Sequence, residues 1–115
     1  MKRGEVYWAD LVARSGSEQT GRRPVILVSH DGFNQTLGWR SIIVVPISTS
    51  SSQGKRGPTV IELSGGIAGL PKTSVAVCHQ VTTLDLAKMT KRIVALPLES
   101  LRQVDEGLKT AMDLD

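Results

Sequence analysis

The sequence predicts a mainly β fold (α+β), with short helices and a C-terminal amphipathic helix, on three observations. Apolar, β-branched runs recur along the chain, bounded each time by Gly, Pro, Ser or Asn, as short strands and their turns require. The stretch from Ile42 to Ile47 is apolar at every position, as befits a strand at the centre of a barrel or sheet. From Leu98 to Met112 the apolar residues Leu98, Leu101, Val104, Leu108, Ala111 and Met112 recur at helical spacing, with Arg102, Asp105, Glu106 and Lys109 elsewhere on the wheel.

In order along the chain, strands are expected over residues 5–11, 24–30, 41–48, 59–63, 74–81 and 92–95. The second opens on Arg23-Pro24. Proline cannot donate to a sheet ladder and disfavours the helical region for the residue before it, so Arg23 should be extended where a loop becomes a strand. A short helical piece is expected near residues 32–36. Another is expected from Thr83-Leu84-Asp85, where Thr83 or Asp85 can cap orphan N–H groups. Alternation over 74–81 sets Val75, Val77, His79 and Val81 on one face and Ser74, Ala76, Cys78 and Gln80 on the other. In the last helix Gly107 costs about 1 kcal/mol relative to Ala, so that helix depends on packing. The polar loops 13–21 and 49–57 are where a ligand is expected.

A length of 115 residues with 40% apolar content suits one compact domain, 1–115. No stretch approaches the ~20 apolar residues of a membrane span, and Met1-Lys2-Arg3-Gly4-Glu5 leads into a strand-like segment, so a cytosolic protein is expected. The single cysteine, Cys78, cannot form an internal disulfide. The net charge of +3 is concentrated in residues 1–60, which hold eight basic and four acidic side chains, a distribution compatible with a nucleic-acid surface.

Strong metal signatures are absent: no CxxC, no HExxH, and only His30 and His79 among the imidazoles. Gly65-Gly66-Ile67-Ala68-Gly69 lacks the Lys and Ser/Thr of a phosphate-binding P-loop. What stands out is the pair Arg22-Arg23 at the mouth of a buried strand, since a guanidinium is charged at any working pH and matches a phosphate or carboxylate. A hydroxyl at the end of the central strand, Ser48 or Thr49, could complement Arg23 on a phosphate. Trp8, Trp39, Tyr7 and Phe33 are scattered and form no ladder of stacking rings, and Trp8 and Phe33 suit a core or an interface.

Residues 2–11 (Lys-Arg-Gly-Glu-Val-Tyr-Trp-Ala-Asp-Leu), Gly16-Ser17-Glu18-Gln19 and residues 21–29, from Gly21-Arg22-Arg23-Pro24 to Ser29, resemble the opening of the MazF/PemK toxin family. Val45-Pro46-Ile47-Ser48-Thr49 is similar to that family's third block, and residues 74–81 to its later S-x-V-x-x-x-Q strand. Thr83-Leu84-Asp85 and residues 102–108 follow in family order, so the resemblance spans nearly the whole chain.

The resemblance implies a small SH3-like β-barrel of CcdB/MazF/PemK type and a homodimer with sites at the protomer interface. It implies the toxin of a type II toxin–antitoxin system of the prokaryotic cytoplasm, a sequence-specific, metal-independent endoribonuclease that needs no cofactor. Its substrate would be single-stranded RNA, messenger or also transfer or ribosomal, and its partner an antitoxin with an acidic disordered tail. The family's strand-opening arginine and central-strand hydroxyl map onto Arg23 and Ser48. The hydroxyl is commonly threonine, which leaves Thr49 as the alternative to Ser48. Gln19 and Gln80 can read the edges of unstacked bases, while Arg22, Lys55 and Arg56 attract the backbone and Ser74 heads the motif that ends in Gln80.

Arginine is poorly suited to be the proton acceptor, for which Glu18, Asp31 and His79 are candidates. Two other functions compete. A CcdB-like toxin that binds DNA gyrase would carry a terminal Trp-Gly-Ile where this chain reads Asp113-Leu114-Asp115. A non-catalytic RNA-binding barrel would be expected to show more aromatic residues.

Overall fold

The computed structural model describes residues 1–11, 21–49, 57–63, 70 and 74–115. Within them run strands β1 (Glu5–Leu11), β2 (Gly21–Leu27), β3 (Ser41–Ser48), β4 (Val60–Glu62), β5 (Val75–Val77), β6 (Thr82–Asp85) and β7 (Met89–Ala95). Helix α1 (Asp31–Asn34) lies between β2 and β3, and helix α2 (Leu98–Met112) closes the chain.

All the strand pairs are antiparallel, in the order β4-β5-β3-β2-β1-β7, with β6 added to the edge of β3 that β5 leaves. The uniformly apolar strand is therefore the hub: β3 pairs with β2, β5 and β6. Among the described residues the ladder does not close, since β4 and β7 stand at its ends; the barrel implied by the resemblance is here an open sheet with a core on each face. Period-2 alternation sorts the two cores. Val6, Ile26, Val45, Ile47 and Ala76 face Val104 and Leu108 of α2, whereas Ala9, Val25, Leu27, Ile42 and Val44 lie beneath Leu84, Leu86 and Met89.

Local chemistry explains where elements depart from expectation. The sheet reaches back to Gly21, so Pro24 lies inside β2, but its missing N–H falls where the β2–β3 ladder begins and costs that ladder one bond. The strand expected over 74–81 stops at Val77: the Cys78 amide still donates to Thr59 O, one step beyond the β4–β5 pairs, and the chain then turns through a 3-10 helix, Cys78–Gln80, closed by the Val81 amide on Cys78 O. Thr83-Leu84-Asp85, expected to begin a helix, lie instead in β6 against β3, and only Leu86–Lys88 is helical, capped by the Asp85 carboxylate on the Ala87 amide. The partner strand overrides the local capping signal there.

Helix α2 matches its expected bounds, ending at Asp113 in the left-handed conformation with the Leu114 amide donating to Lys109 O. It is pinned to the sheet by Arg3, whose guanidinium reaches Asp105 at 2.6 Å and whose Nε donates to Val28 O. Gly107 packs α2 tightly against β4 and the turn after β5. A Cβ there would sit 2.7 Å from Cys78 Sγ and 3.1 Å from Ile61 Cγ1. Alanine would gain about 1 kcal/mol of helix propensity but overpack at a cost of about 1–3 kcal/mol. Gly107→Ala is therefore expected to lower the melting temperature, and Cys78→Ala in the same chain to restore part of the loss. A higher melting point for Gly107→Ala would contradict this packing.

At the start of β1, Glu5 accepts the Lys2 amide, the Tyr7 hydroxyl and Arg92 Nε. Burial would raise its carboxyl, but those three bonds outweigh it and hold the group below the usual carboxylate range. The same contact, added to burial, pushes the Tyr7 phenol up to about 12. A raised folded value means that the stabilising term is complete below the ordinary phenol value of about 10 and is lost as pH climbs through about 12. Tyr7 is the sole tyrosine, so phenolate absorbance reads it alone. Glu5→Gln is expected to bring its midpoint down, and an unchanged midpoint would exclude the Glu5 contact as a cause.

Candidate active site

Arg23 lies in β2 opposite Ala9, with its side chain on the face that carries Val25. The β2–β3 register runs Val25↔Pro46, Ile26↔Val45 and Leu27↔Val44. Continued past Pro24 and Ile47, it sets Arg23 opposite Ser48 on that same face, in a non-hydrogen-bonded pair where side chains stand closest. Ser48 is buried at the end of β3, whereas Arg23 is exposed, so a fixed hydroxyl adjoins a solvent-facing cation. Thr49 follows the last residue of β3 and is exposed; alternation along the strand puts Ser48 on the face of Arg23.

The row continues across the sheet: Ser48 pairs with Val75, and Val75 with Glu62. Glu62 is absent from the sequence-derived candidates. Its signal was a carboxylate interrupting Val60-Ile61-Glu62-Leu63 at a position that alternates with the α2-facing Ile61.

Other candidates fall elsewhere. Arg22 turns to the opposite face, where its guanidinium lies 5.1 Å from the centre of the Trp8 ring. Asp31 caps the far end of the sheet, accepting the Arg3 amide and Asn34 Nδ2, bonds that hold its carboxyl below the usual range. His79 is exposed on the turn after β5, with Nδ1 2.8 Å from the Thr59 hydroxyl. Gln80 shares that turn, and Ser74 is buried just ahead of β5. Glu18, Gln19, Lys55 and Arg56 lie outside the described residues. Phe33, expected in a core or interface, is half exposed and stacks on Trp39 with ring centres 5.2 Å apart. Cys78 is buried beneath α2, where burial pushes its thiol up to about 11, out of the reactive range. Among the described residues, no group of three or more His, Cys, Asp or Glu is arranged to hold a metal ion.

Fold and site together define a small antiparallel sheet protein that carries an arginine and a hydroxyl side by side on one face. The chain belongs to the PemK-like, MazF-like toxins of type II toxin–antitoxin systems, whose family model matches residues 2–112. It is 34% identical over 114 residues to the endoribonuclease EndoA of Bacillus subtilis, covering 99% of this chain and 96% of that protein. To the endoribonuclease MazF6 of Mycobacterium tuberculosis it is 31% identical, covering 99% and 98%. Its fold is similar to that of crystalline MazF from Deinococcus radiodurans, with a TM-score of 0.80 at 20% identity over 99% of this chain and 97% of that one.

Proposed function

We propose that this toxin is an endoribonuclease that cuts single-stranded RNA without a metal ion, with Arg23 and Ser48 at the scissile phosphate. The observation that carries the reading is the β2–β3 register, Val25↔Pro46 to Leu27↔Val44, which continued by two residues sets the exposed Arg23 opposite the buried Ser48 on one face. Relatives that align over the whole chain are endoribonucleases, which supports RNA as the substrate.

Cleavage without a metal can use the substrate's own 2′-hydroxyl as nucleophile. It attacks the adjacent phosphorus, the 5′-oxygen leaves, and a 2′,3′-cyclic phosphate and a 5′-hydroxyl result. The barrier lies in a crowded, highly charged phosphorane, so the enzyme must place donors on the non-bridging oxygens and move protons. A guanidinium can clamp two of those oxygens at once. The Ser48 hydroxyl, one strand away, can donate to the same phosphate. Gln80 and Ser74, beside β5, and Gln19, Lys55 and Arg56 are proposed to hold the flanking nucleotides, with Arg22 braced by Trp8.

A mycobacterial endoribonuclease of the same fold has been solved with its cognate antitoxin. We infer a comparable partner here, with an acidic tail that competes with RNA for Arg23, and a cytoplasmic homodimer as the active form. Purified protein is expected to fragment a long single-stranded RNA in excess EDTA, leaving 5′-hydroxyl ends. Intact RNA across varied sequences would overturn the reading, while the mapped cut sites would give the recognised sequence.

A further inference from the structure

We propose that Glu62 takes the proton from the attacking 2′-hydroxyl. This rests on the ribonuclease reading above and supplies the group that reading lacks, because a guanidinium stays protonated across the working range and cannot accept.

Placement carries the assignment. Glu62 pairs with Val75, Val75 with Ser48, and Ser48 faces Arg23, so all four project from one face along a single row across β4, β5, β3 and β2. Glu62 and Ser48 are two strand spacings apart, roughly 9–10 Å between backbones. Glu62 is exposed and, among the described residues, engaged in no hydrogen bond or ion pair. Ser48 and Val75 between them are buried, so Arg23 and Glu62 are the exposed groups of the row, and in this assignment the ribose of a phosphodiester held by Arg23 sits toward Glu62.

The remaining described carboxylates of the sheet are committed or misplaced. Glu5 is held by Lys2, Tyr7 and Arg92, Asp85 by Arg40 and the Ala87 amide, and Asp31 by Arg3 and Asn34. Asp10 pairs with Arg22 and shares its opposite face. Among the described residues, the charged or titratable groups closest along these elements are Arg23 across the row and His79 on the turn after β5; α2, with Asp105, Glu106 and Lys109, packs behind Ile61 on the other face.

In the step, the 2′-oxygen bonds to phosphorus as its proton passes to Glu62, the bond from phosphorus to the 5′-oxygen breaks, and that oxygen takes a proton from water. No oxidant or co-reactant is needed.

The experiment is the pH profile of RNA cleavage by the full chain in EDTA, for wild type, Glu62→Gln, Glu62→Asp and His79→Ala. Glu62→Gln is expected to lower kcat about a hundredfold with KM unchanged, and to lack the fall in rate toward acid expected of wild type. Glu62→Asp, which keeps the carboxyl, should recover part of kcat, and the melting temperatures should match because the side chain is exposed. Wild-type kcat in Glu62→Gln, or an acid limb that survives there and vanishes in His79→Ala, overturns the assignment and leaves the nuclease standing. A wild-type protein that leaves RNA intact overturns both.

Discussion

Arg23→Ala is expected to reduce RNA cleavage about a thousandfold, with the melting temperature within a degree or so of wild type. The reasons are local. Arg23 is exposed on β2, its backbone is held by pairing with Ala9, and the ring of Pro24 limits the freedom of the strand at that point. The rigid backbone fixes where the side chain starts, so binding a phosphate orders the side chain alone and not the strand beneath it. Arg23→Lys should recover only part of the activity, because an ammonium supplies charge without the planar pair of donors. Arg22→Ala removes a neighbour that is equally charged but turned to the Trp8 face. It is expected to raise KM and leave kcat nearly intact. Single-turnover cleavage, alongside RNA binding by fluorescence anisotropy, separates the two effects. Equal losses for the two arginines would mean that face does not matter, and the site as drawn would fall.

The contrast between these arginines also marks how far the sequence could be read. Strands β1 and β3 and helix α2 were legible because their patterns are set by burial on a face: alternation, an apolar run and helical spacing survive any detail of packing. Arg23 was legible too, as the residue before a proline at the mouth of an apolar run. Strand β6 was not, because Thr82–Asp85 carries residues that favour turns and caps and becomes a strand only through the free edge of β3. The strand that leads into the turn at Cys78–Gln80 ends where its partner does, at the bond from Cys78 to Thr59, nineteen positions upstream of Cys78 in the chain. Above all, the neighbourhood of Arg23, Ser48 and Glu62 is a matter of register between strands far apart in sequence. Local composition says which residues line a face but not which stand opposite one another.

Register likewise decides between the two hydroxyls, and Ser48→Ala is expected to cost about a hundredfold in kcat where Thr49→Ala costs less than about threefold. Both carry the same chemistry and differ by one position, so the strand's two-residue period is the whole distinction. Ser48 is the last residue of β3, paired with Val75 on one side and set opposite Arg23 on the other. Thr49 follows it, exposed and beyond the ladder. Because Ser48 is buried, its removal could also lower stability, so activity is compared well below the melting point of each variant. Ser48→Thr provides the sharper control. It restores the hydroxyl and adds a methyl that restricts χ1, and activity at or above wild type is expected if the site has room for that methyl. A protein in which Thr49→Ala is the inactive variant and Ser48→Ala is not would require the β3 end to be shifted by one residue against β2, which would turn Ile47 and Val45 out of the core they now share with α2.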